Sequence, residues 1–446
     1  MVLVFEAVTR FRLLALLVAS TTCAGCGAEP PRPRNLLVLC VDTLRADQLG
    51  AYGAAPSLTP NLDRLAGESV VFERAHAAAS WTLPSVAAVF TGLCPSSTRL
   101  WTFETRLADS YSTLAERLES AGFTTHGVAS HVFFDANYGL QQGFDSFDDE
   151  LCHRKGEAGW REVTSPEVAG RAVRWLEERG RSNAREPWML FAHFFDPHLP
   201  YVDHHSGVAP APEEFARYRS EIAFTDVHVG AVLDALEKSG LAGDTAVLFF
   251  SDHGESFLEH PPIQRHSYSL FEEELHVPLF LRVPGLAPRR VTTAVRLVDL
   301  RPTLLALLGV GEGPGAVGEG VDLGPLLTGR AEGARPPNLA EIRLKHGYHR
   351  NAIVDGDWKL IEDVSNRRLE LYDLAADPRE RENLVTREPE RAAELASELR
   401  IAIERAELLG HDFAPDAAVE HTPAELEHLR AMGYAGDDEP GDSRKE

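Results

Sequence analysis

The chain of 446 residues is poor in sulfur-containing side chains, with 5 Cys and 3 Met. Cys23 and Cys26 lie near the start and the other three cysteines are scattered, so no disulfide framework is predicted. Positive charge is also scarce, because 44 Lys and Arg stand against 68 Asp and Glu and the formal net charge is −24. This balance argues against a nucleic-acid partner and against membrane contact through surface charge.

Long apolar runs are missing as well, and the run near the start is short. Arg10 and Arg12 precede LLALLVAS, and small residues follow, which is typical of a secretory signal rather than a membrane-spanning helix. The CAGC that ends at Cys26 resembles a bacterial lipobox, with Cys23 where Leu is usual. We predict that residues 1–26 are a signal peptide with a lipobox and that the protein is a periplasmic lipoprotein held to the membrane by this anchor alone. Cleavage nearby without lipid, giving a soluble periplasmic protein, is the alternative.

Apolar runs alternate with helical patterns over residues 35–335. NLLVLCV, PWMLFAHFF and TAVLFFS have the composition of buried strands, and amphipathic segments separate them. This alternation predicts a doubly wound α/β domain, with a mixed or parallel sheet sandwiched by helices. Residues 336–385 show the pattern of short antiparallel strands and form a predicted subdomain. A helical segment and a disordered polar tail are predicted over residues 386–446.

Polar residues follow three of the predicted strands. Asp42, Asp196, Asp252 and His253 come directly after apolar runs. Open α/β sheets bind ligands beyond the carboxyl ends of their strands, so these side chains could converge on one edge. Carboxylate and imidazole ligands suit zinc or manganese better than calcium, which remains the alternative. Each residue taken alone could equally be an ordinary turn residue.

Thr82 occupies a distinctive place in the segment SWTLPSVAAVFTGL. The hydroxyl stands just before Pro84 and an apolar run with helical spacing. A helix N-terminus offers free N–H groups that attract an anion, so Thr82 could be a nucleophile that meets that anion. Thr before Pro is also a common helix start, so Thr82 could equally be an N-cap.

Several blocks occur in an order that resembles the sulfatase family of the alkaline phosphatase superfamily. They are LLVLCVDTLRADQLGAYG, SWTLPSVAAVFTGLCP, HFFDPHLPY, FFSDHGESFLEH and LYDLAADPRERENL. The segment LRAMGYAG resembles the closing segment of many bacterial members. The resemblance implies an alkaline-phosphatase-like fold with a small C-terminal antiparallel sheet. It also implies an enzyme that hydrolyses sulfate or phosphate esters.

The resemblance assigns a divalent-metal site to this chain. It implies that Asp42, Asp252 and His253 are ligands and that Thr82 lies at the metal. Asp196, with His198, could help to build a second metal site.

The resemblance also implies catalytic roles. Thr82 carries the attacking oxygen, which a metal activates. His198 and His266 resemble family histidines that hold substrate oxygens or protonate the leaving group.

The sequence departs from the family at the nucleophile. True sulfatases have Cys or Ser there, which becomes formylglycine, followed by an Arg; this chain has Thr82 and Val86. Thr43 replaces an Asp, and His253 replaces an Asn. Together these changes indicate a transition-metal and threonine site, which favours a phosphate ester over a sulfate ester.

We therefore predict an exported metal-dependent hydrolase that acts through a covalent Thr82 intermediate on a small-molecule, glycan or lipid ester. One alternative is a transferase that moves phosphoethanolamine or glycerolphosphate onto envelope glycans or lipids. The other is a degenerate, non-catalytic binding protein.

Overall fold

The computed structural model describes residues 32–434 except 154, 157–158, 161–162, 183, 205–212, 314, 316, 331–334, 345–346, 412, 414–417 and 433. The predicted signal peptide and the tail beyond residue 434 lie outside the described residues. Within this part of the chain, no helix is both long and apolar enough to cross a membrane.

The strands are β1 (Asn35–Val41), β2 (Val70–Phe72), β3 (Ala75–His76), β4 (Thr124–Val128), β5 (Ser146–Asp148), β6 (Lys155–Gly156), β7 (Gly159–Trp160), β8 (Trp188–Phe194), β9 (Thr245–Ser251), β10 (His276–Val277), β11 (Leu279–Arg282), β12 (Arg289–Val291), β13 (Val295–Arg296), β14 (Asn338–Arg343), β15 (His349–Asp355), β16 (Trp358–Asp363) and β17 (Arg368–Asp373). The helices are α1 (Pro60–Gly67), α2 (Thr82–Thr91), α3 (Pro95–Thr98), α4 (Leu114–Ser120), α5 (Ser165–Arg181), α6 (Glu213–Lys238), α7 (Glu272–Leu275), α8 (Leu300–Leu308), α9 (Gly324–Leu327), α10 (Pro389–Gly410) and α11 (Pro423–Ala431).

A mixed sheet of eight strands forms the centre of the molecule. Its order is β12-β2-β11-β9-β1-β8-β4-β5. Only β11 runs antiparallel to its neighbours β9 and β2, whereas the other pairs are parallel. Strand β1 lies inside the sheet between β9 and β8, and the later strands are added on both sides of it, which is the doubly wound arrangement that the alternating pattern predicts.

Helices cover both faces of this sheet. Even-numbered residues of β1 pack in one core with α2, α4 and α8, and odd-numbered residues pack in a second core with α1, α5 and α6. Because both faces are buried, β1, β8 and β9 read as continuous apolar runs rather than alternating ones. The free cysteines Cys40, Cys94 and Cys152 are all buried.

A four-stranded antiparallel sheet, β14 to β17 in chain order, follows the central sheet. Apolar residues of these strands pack against Leu395 and Leu399 of α10. The predicted small C-terminal sheet is therefore present, and α10 covers one of its faces.

A buried lysine joins the C-terminal sheet to the short helix α7. Lys359 Nζ in β16 lies 2.8 Å from Glu272 Oε1 and 2.9 Å from Glu380 Oε1. Further along α7, the carbonyl oxygen of Glu274 accepts a hydrogen bond from Gly254 N at 2.8 Å. The C-terminal sheet thus contacts the helix that supports the loop after β9.

Candidate active site

The turn that follows β1 presents Asp42 beside the end of β9. Val41 lies opposite Ser251 in the parallel β1–β9 pair, so Asp42 and Asp252 leave the sheet side by side. Thr43 has a φ of 52°, a costly conformation for a β-branched residue. Two contacts hold the turn: the Tyr218 hydroxyl donates to the Thr43 carbonyl at 2.8 Å, and Leu44 N donates to Ser251 Oγ at 2.9 Å.

Helix α2 brings Thr82 to the same point. Thr82 is the first residue of the helix, the preceding residue occupies the cap position, and no side chain caps the helix. Thr82 Oγ1 instead lies 3.3 Å from His253 Nε2, and Ser85 Oγ donates to the Asp252 carbonyl at 2.6 Å. The N-cap alternative is therefore wrong, because the Thr82 hydroxyl faces the acidic residues rather than its own backbone.

Asp42, Asp252 and His253 form a cluster with the chemistry of a metal site. One ligand atom from each lies within 4.8 Å of the others, and all three side chains are fully buried. Both carboxylate oxygens of Asp42 and Oδ2 of Asp252 have no hydrogen-bond partner among the described residues. His253 Nδ1 donates to the Gly254 carbonyl at 2.9 Å, which leaves the Nε2 lone pair free to bind a cation. The donor set therefore fits a divalent metal ion.

The electrostatics of the cluster also favour a cation. Burial raises the pKa of Asp42 well above its ordinary value, and the charge of Asp252 raises it further. Burial likewise raises the pKa of Asp252 to about 7 and lowers the pKa of His253 well below its ordinary value. Two buried carboxylates without a counter-charge are costly, and a divalent cation between them removes that cost.

His198 and His266 join the cluster, as predicted. Their ring centroids lie 4.7 Å apart, and the His266 ring is 4.8 Å from that of His253. His198 Nδ1 donates to the Leu199 carbonyl at 2.7 Å, whereas His266 Nδ1 lies 3.1 Å from a carboxylate oxygen of Glu255. Burial lowers the pKa of His266 to about 3 and the pKa of His198 well below its ordinary value.

Asp196 is not part of the cluster, which corrects the prediction that it binds a metal. Its carboxylate accepts hydrogen bonds from Thr164 N at 3.1 Å and Ser165 N at 2.6 Å, at the start of α5. The side chain therefore satisfies the free N–H groups of a helix N-terminus and is not available as a ligand.

Two residues near the cluster were not anticipated as site residues. His193 in β8 places Nε2 3.4 Å from Asp42 Oδ2, and the signal for it was a lone polar residue within an apolar strand. Tyr434, from the LRAMGYAG segment, places its hydroxyl 3.1 Å from Nε2 of His198 and 3.1 Å from Nε2 of His266. The resemblance of this segment to the closing segment of family members singles it out, but no residue pattern around Tyr434 indicates its contact with the two histidines.

Comparison with protein families matches a sulfatase model to residues 34–310. A second model, described as N-sulphoglucosamine sulphohydrolase, C-terminal, matches residues 266–407. Choline-sulfatase of Rhizobium meliloti is 28% identical over 427 residues, which cover 78% of this chain and 82% of that protein. Arylsulfatase K of Xenopus laevis is 24% identical over 427 residues, which cover 77% and 78% respectively.

Solved structures confirm the fold class. The phosphonate monoester hydrolase of Agrobacterium radiobacter has a TM-score of 0.71 at 23% identity and covers 84% of this chain and 96% of its own. A protein solved in complex with its substrate D-glucosamine-2-N,6-O-disulfate has a TM-score of 0.72 at 19% identity, with coverage of 86% and 99%.

These relatives are named sulfatases and hydrolases, so they do not favour the transferase or the non-catalytic binding protein. The sulfatase model covers more than half of the chain, and the second model extends the match through the C-terminal sheet into α10. The sheet order and the strand-end cluster agree with that match. The chain is therefore a member of the sulfatase family of hydrolases, within the alkaline phosphatase superfamily.

Proposed function

We propose that the protein hydrolyses a sulfate ester with the help of a divalent metal ion and through a covalent Thr82 intermediate. The observation that carries this proposal is the position of Thr82 Oγ1, 3.3 Å from His253 Nε2 and beside the buried Asp42 and Asp252 carboxylates. An alcohol held at a cation site and at the N-terminus of a helix is well placed to attack an anionic ester.

Asp42, Asp252 and His253 would hold the metal, with Thr82 beside them. Mixed oxygen and nitrogen donors favour zinc or manganese over calcium. When bound, the cation supplies charge neutralisation for the ester oxygens and lowers the pKa of a neighbouring hydroxyl.

The two histidines divide the proton transfers between them. His198 is tied to a backbone carbonyl through Nδ1, stays neutral and offers Nε2 as an acceptor for the Thr82 proton. Burial keeps His266 neutral in the absence of substrate; a bound anionic ester, together with the nearby Glu255 carboxylate, would raise its pKa, so that it protonates the leaving oxygen as the sulfur–oxygen bond breaks. Water then attacks the Thr82 sulfate ester, gives its proton to His266 and releases sulfate, while His198 returns the proton to Thr82.

The substrate class follows from the named relatives. Choline-sulfatase and arylsulfatase K are named for small-molecule sulfates, and one structural neighbour was solved with a sulfated glucosamine. We therefore propose a small-molecule or glycan sulfate. The sequence departures at Thr82 and Val86 favour a phosphate ester as substrate. We give more weight to the relatives, which are named for sulfate esters.

The test compares hydrolysis of 4-nitrophenyl sulfate and 4-nitrophenyl phosphate with added zinc, manganese or calcium. We expect sulfate turnover to need the metal and Thr82→Val to lower kcat by roughly 10³-fold or more. Thr91→Val is the matched control, because the Thr91 hydroxyl in the same helix bonds to backbone groups away from the cluster: it donates to the Ala87 carbonyl at 2.7 Å and accepts from Leu93 N at 3.2 Å. Mass spectrometry of a quenched reaction should show one sulfuryl group on the Thr82 peptide. Full activity of Thr82→Val would exclude the covalent mechanism, and turnover of the phosphate alone would exclude the sulfate substrate.

We also propose that the protein is exported and lipidated at Cys26, in keeping with the signal pattern over residues 1–26. Labelling with a fatty-acid analogue followed by membrane fractionation tests this. Cys26→Ala should release the protein from the membrane fraction, while Cys23→Ala should leave it bound. Membrane association that survives Cys26→Ala would rule out this anchor.

A further inference from the structure

The last described residue, Tyr434, enters the active site from a distant part of the chain. It follows α11, and its backbone N–H donates to the Leu429 carbonyl at 2.8 Å. Leu429 and Met432 are buried in the main core, and Val419 N donates to the Glu104 carbonyl at 2.7 Å before the helix begins. The segment that delivers Tyr434 is therefore fastened to the body of the protein at both ends of α11.

The phenol ring of Tyr434 lies in an aromatic enclosure. Its centroid is 4.9 Å from the Phe133 ring, 5.8 Å from the His131 ring and 6.1 Å from the Trp81 ring. Edge and tilted contacts of this kind hold a flat ring by its faces and edges. The enclosure thus has the shape and chemistry to receive an aromatic ring.

The hydroxyl of Tyr434 occupies the point where His198 and His266 converge. It is 3.1 Å from Nε2 of each ring, and the Thr82 side chain lies beside it. These are the nitrogen atoms to which the proposed function assigns the proton transfers of the ester. A substrate and the Tyr434 hydroxyl cannot occupy this point together.

The hydroxyl satisfies its surroundings only in part. His198 and His266 both use Nδ1 as a donor, so in their neutral forms both Nε2 atoms are acceptors. A phenol has one proton and can serve only one of them. One of the two Nε2 atoms is therefore left without a donor when Tyr434 is in place. An aromatic ligand with a hydroxyl and a second donor would serve both nitrogens and can replace Tyr434.

We propose that Tyr434 is a built-in competitor whose phenol occupies the leaving-group subsite, and that this subsite takes an aromatic alcohol. The phenol oxygen between two histidines and beside Thr82 reproduces the arrangement of an aryl alcohol just released from its sulfate ester. The inference rests on the proposed function for the identity of the subsite. An aromatic leaving-group subsite narrows the proposed substrates from small-molecule or glycan sulfates to aryl sulfates.

The test measures binding of phenol and of cyclohexanol to the full chain by titration calorimetry. Tyr434→Ala should bind phenol about tenfold more tightly than the unaltered protein, because the hydrogen bonds and ring contacts of the competitor are gone. Tyr434→Phe, which keeps the packing, should show a smaller gain in the same direction. Cyclohexanol, which has no flat ring, should bind Tyr434→Ala more weakly than phenol does.

Tyr138→Phe is the matched control. The Tyr138 ring also packs on Phe133, at 5.1 Å, and its hydroxyl has no hydrogen-bond partner among the described residues, so the variant should bind phenol as the unaltered protein does. Amide hydrogen exchange in α11 should become faster when phenol displaces Tyr434. Equal phenol affinity in the unaltered protein and Tyr434→Ala would overturn the competitor, and equal affinity for phenol and cyclohexanol would overturn the aromatic subsite. These binding results stand whether or not aryl sulfates are hydrolysed, so failure of the proposed function is recognised separately.

Discussion

Replacing Asp252 by Asn should stabilise the metal-free protein at neutral and alkaline pH. Burial raises the pKa of Asp252 from 3.8 to about 7, so the folded state holds a proton that the unfolded state has released. The contribution of Asp252 to the unfolding free energy is therefore fully present below about pH 4 and is lost as the pH rises through about 7. A shift of this size corresponds to about 4 kcal/mol of unfolding free energy, at 1.36 kcal/mol for each pKa unit. The neutral amide of Asn avoids this cost and also removes the charge that faces Asp42.

Urea unfolding of chelator-treated protein at about pH 5 and about pH 8 measures this effect. The variant should be the more stable protein at the higher pH, and added zinc or manganese should stabilise the unaltered protein far more than the variant. Asp363→Asn is the control, because hydrogen bonds from Asn366 N at 2.9 Å and Asn366 Nδ2 at 3.0 Å outweigh the effect of burial and lower the pKa of that carboxylate. Its replacement should destabilise at both pH values. If Asp252→Asn also destabilises the protein at both pH values, the electrostatic cost that we assign to the buried Asp252 carboxylate is refuted.

Three further substitutions test other parts of the structure, each by urea unfolding. Asp196→Ala should lower the unfolding free energy by about 2 kcal/mol and leave the zinc affinity unchanged in a calorimetric titration. A tenfold weaker zinc affinity would show that Asp196 is a metal ligand after all. Gly254→Ala should cost about 3 kcal/mol and impair metal uptake, since its Cβ would lie 2.0 Å from a carbonyl oxygen of α7, and normal stability would contradict that crowding. Lys359→Met should lower the unfolding free energy by about 3 to 5 kcal/mol, because it leaves the buried Glu272 and Glu380 carboxylates without a counter-charge. A loss below about 1 kcal/mol would show that the Lys359 ion pairs contribute little to stability.

The convergence of strand ends was predictable, but the direction of each side chain was not. Asp42, Asp196 and Asp252 all follow strands that are neighbours in the sheet, and parallel strands end at one edge. The pattern therefore places all three backbones correctly. Asp196 differs because Thr164 and Ser165 bring free N–H groups against it, and that contact crosses 31 and 32 residues of sequence.

The ambiguity at Thr82 has the same origin. A Thr at a helix start satisfies both interpretations, because local sequence does not reveal whether the hydroxyl turns to its own backbone or to a neighbouring strand. The answer depends on Ser85, which ties the helix to Asp252. Tyr434 lies further out of reach, since its contact with His198 spans 236 residues and leaves no periodic or compositional trace.

The buried charge of Lys359 sets a lower limit on how small a working version of this enzyme can be. Lys359 neutralises Glu272, and α7 in turn receives the backbone of Gly254 beside the proposed ligands. A shortened gene that ends before β14 would encode every proposed ligand and still leave Glu272 without its cation. A smaller scaffold designed to hold this site would therefore need Lys359 and its partner Glu272 in addition to the proposed metal ligands and the active-site histidines.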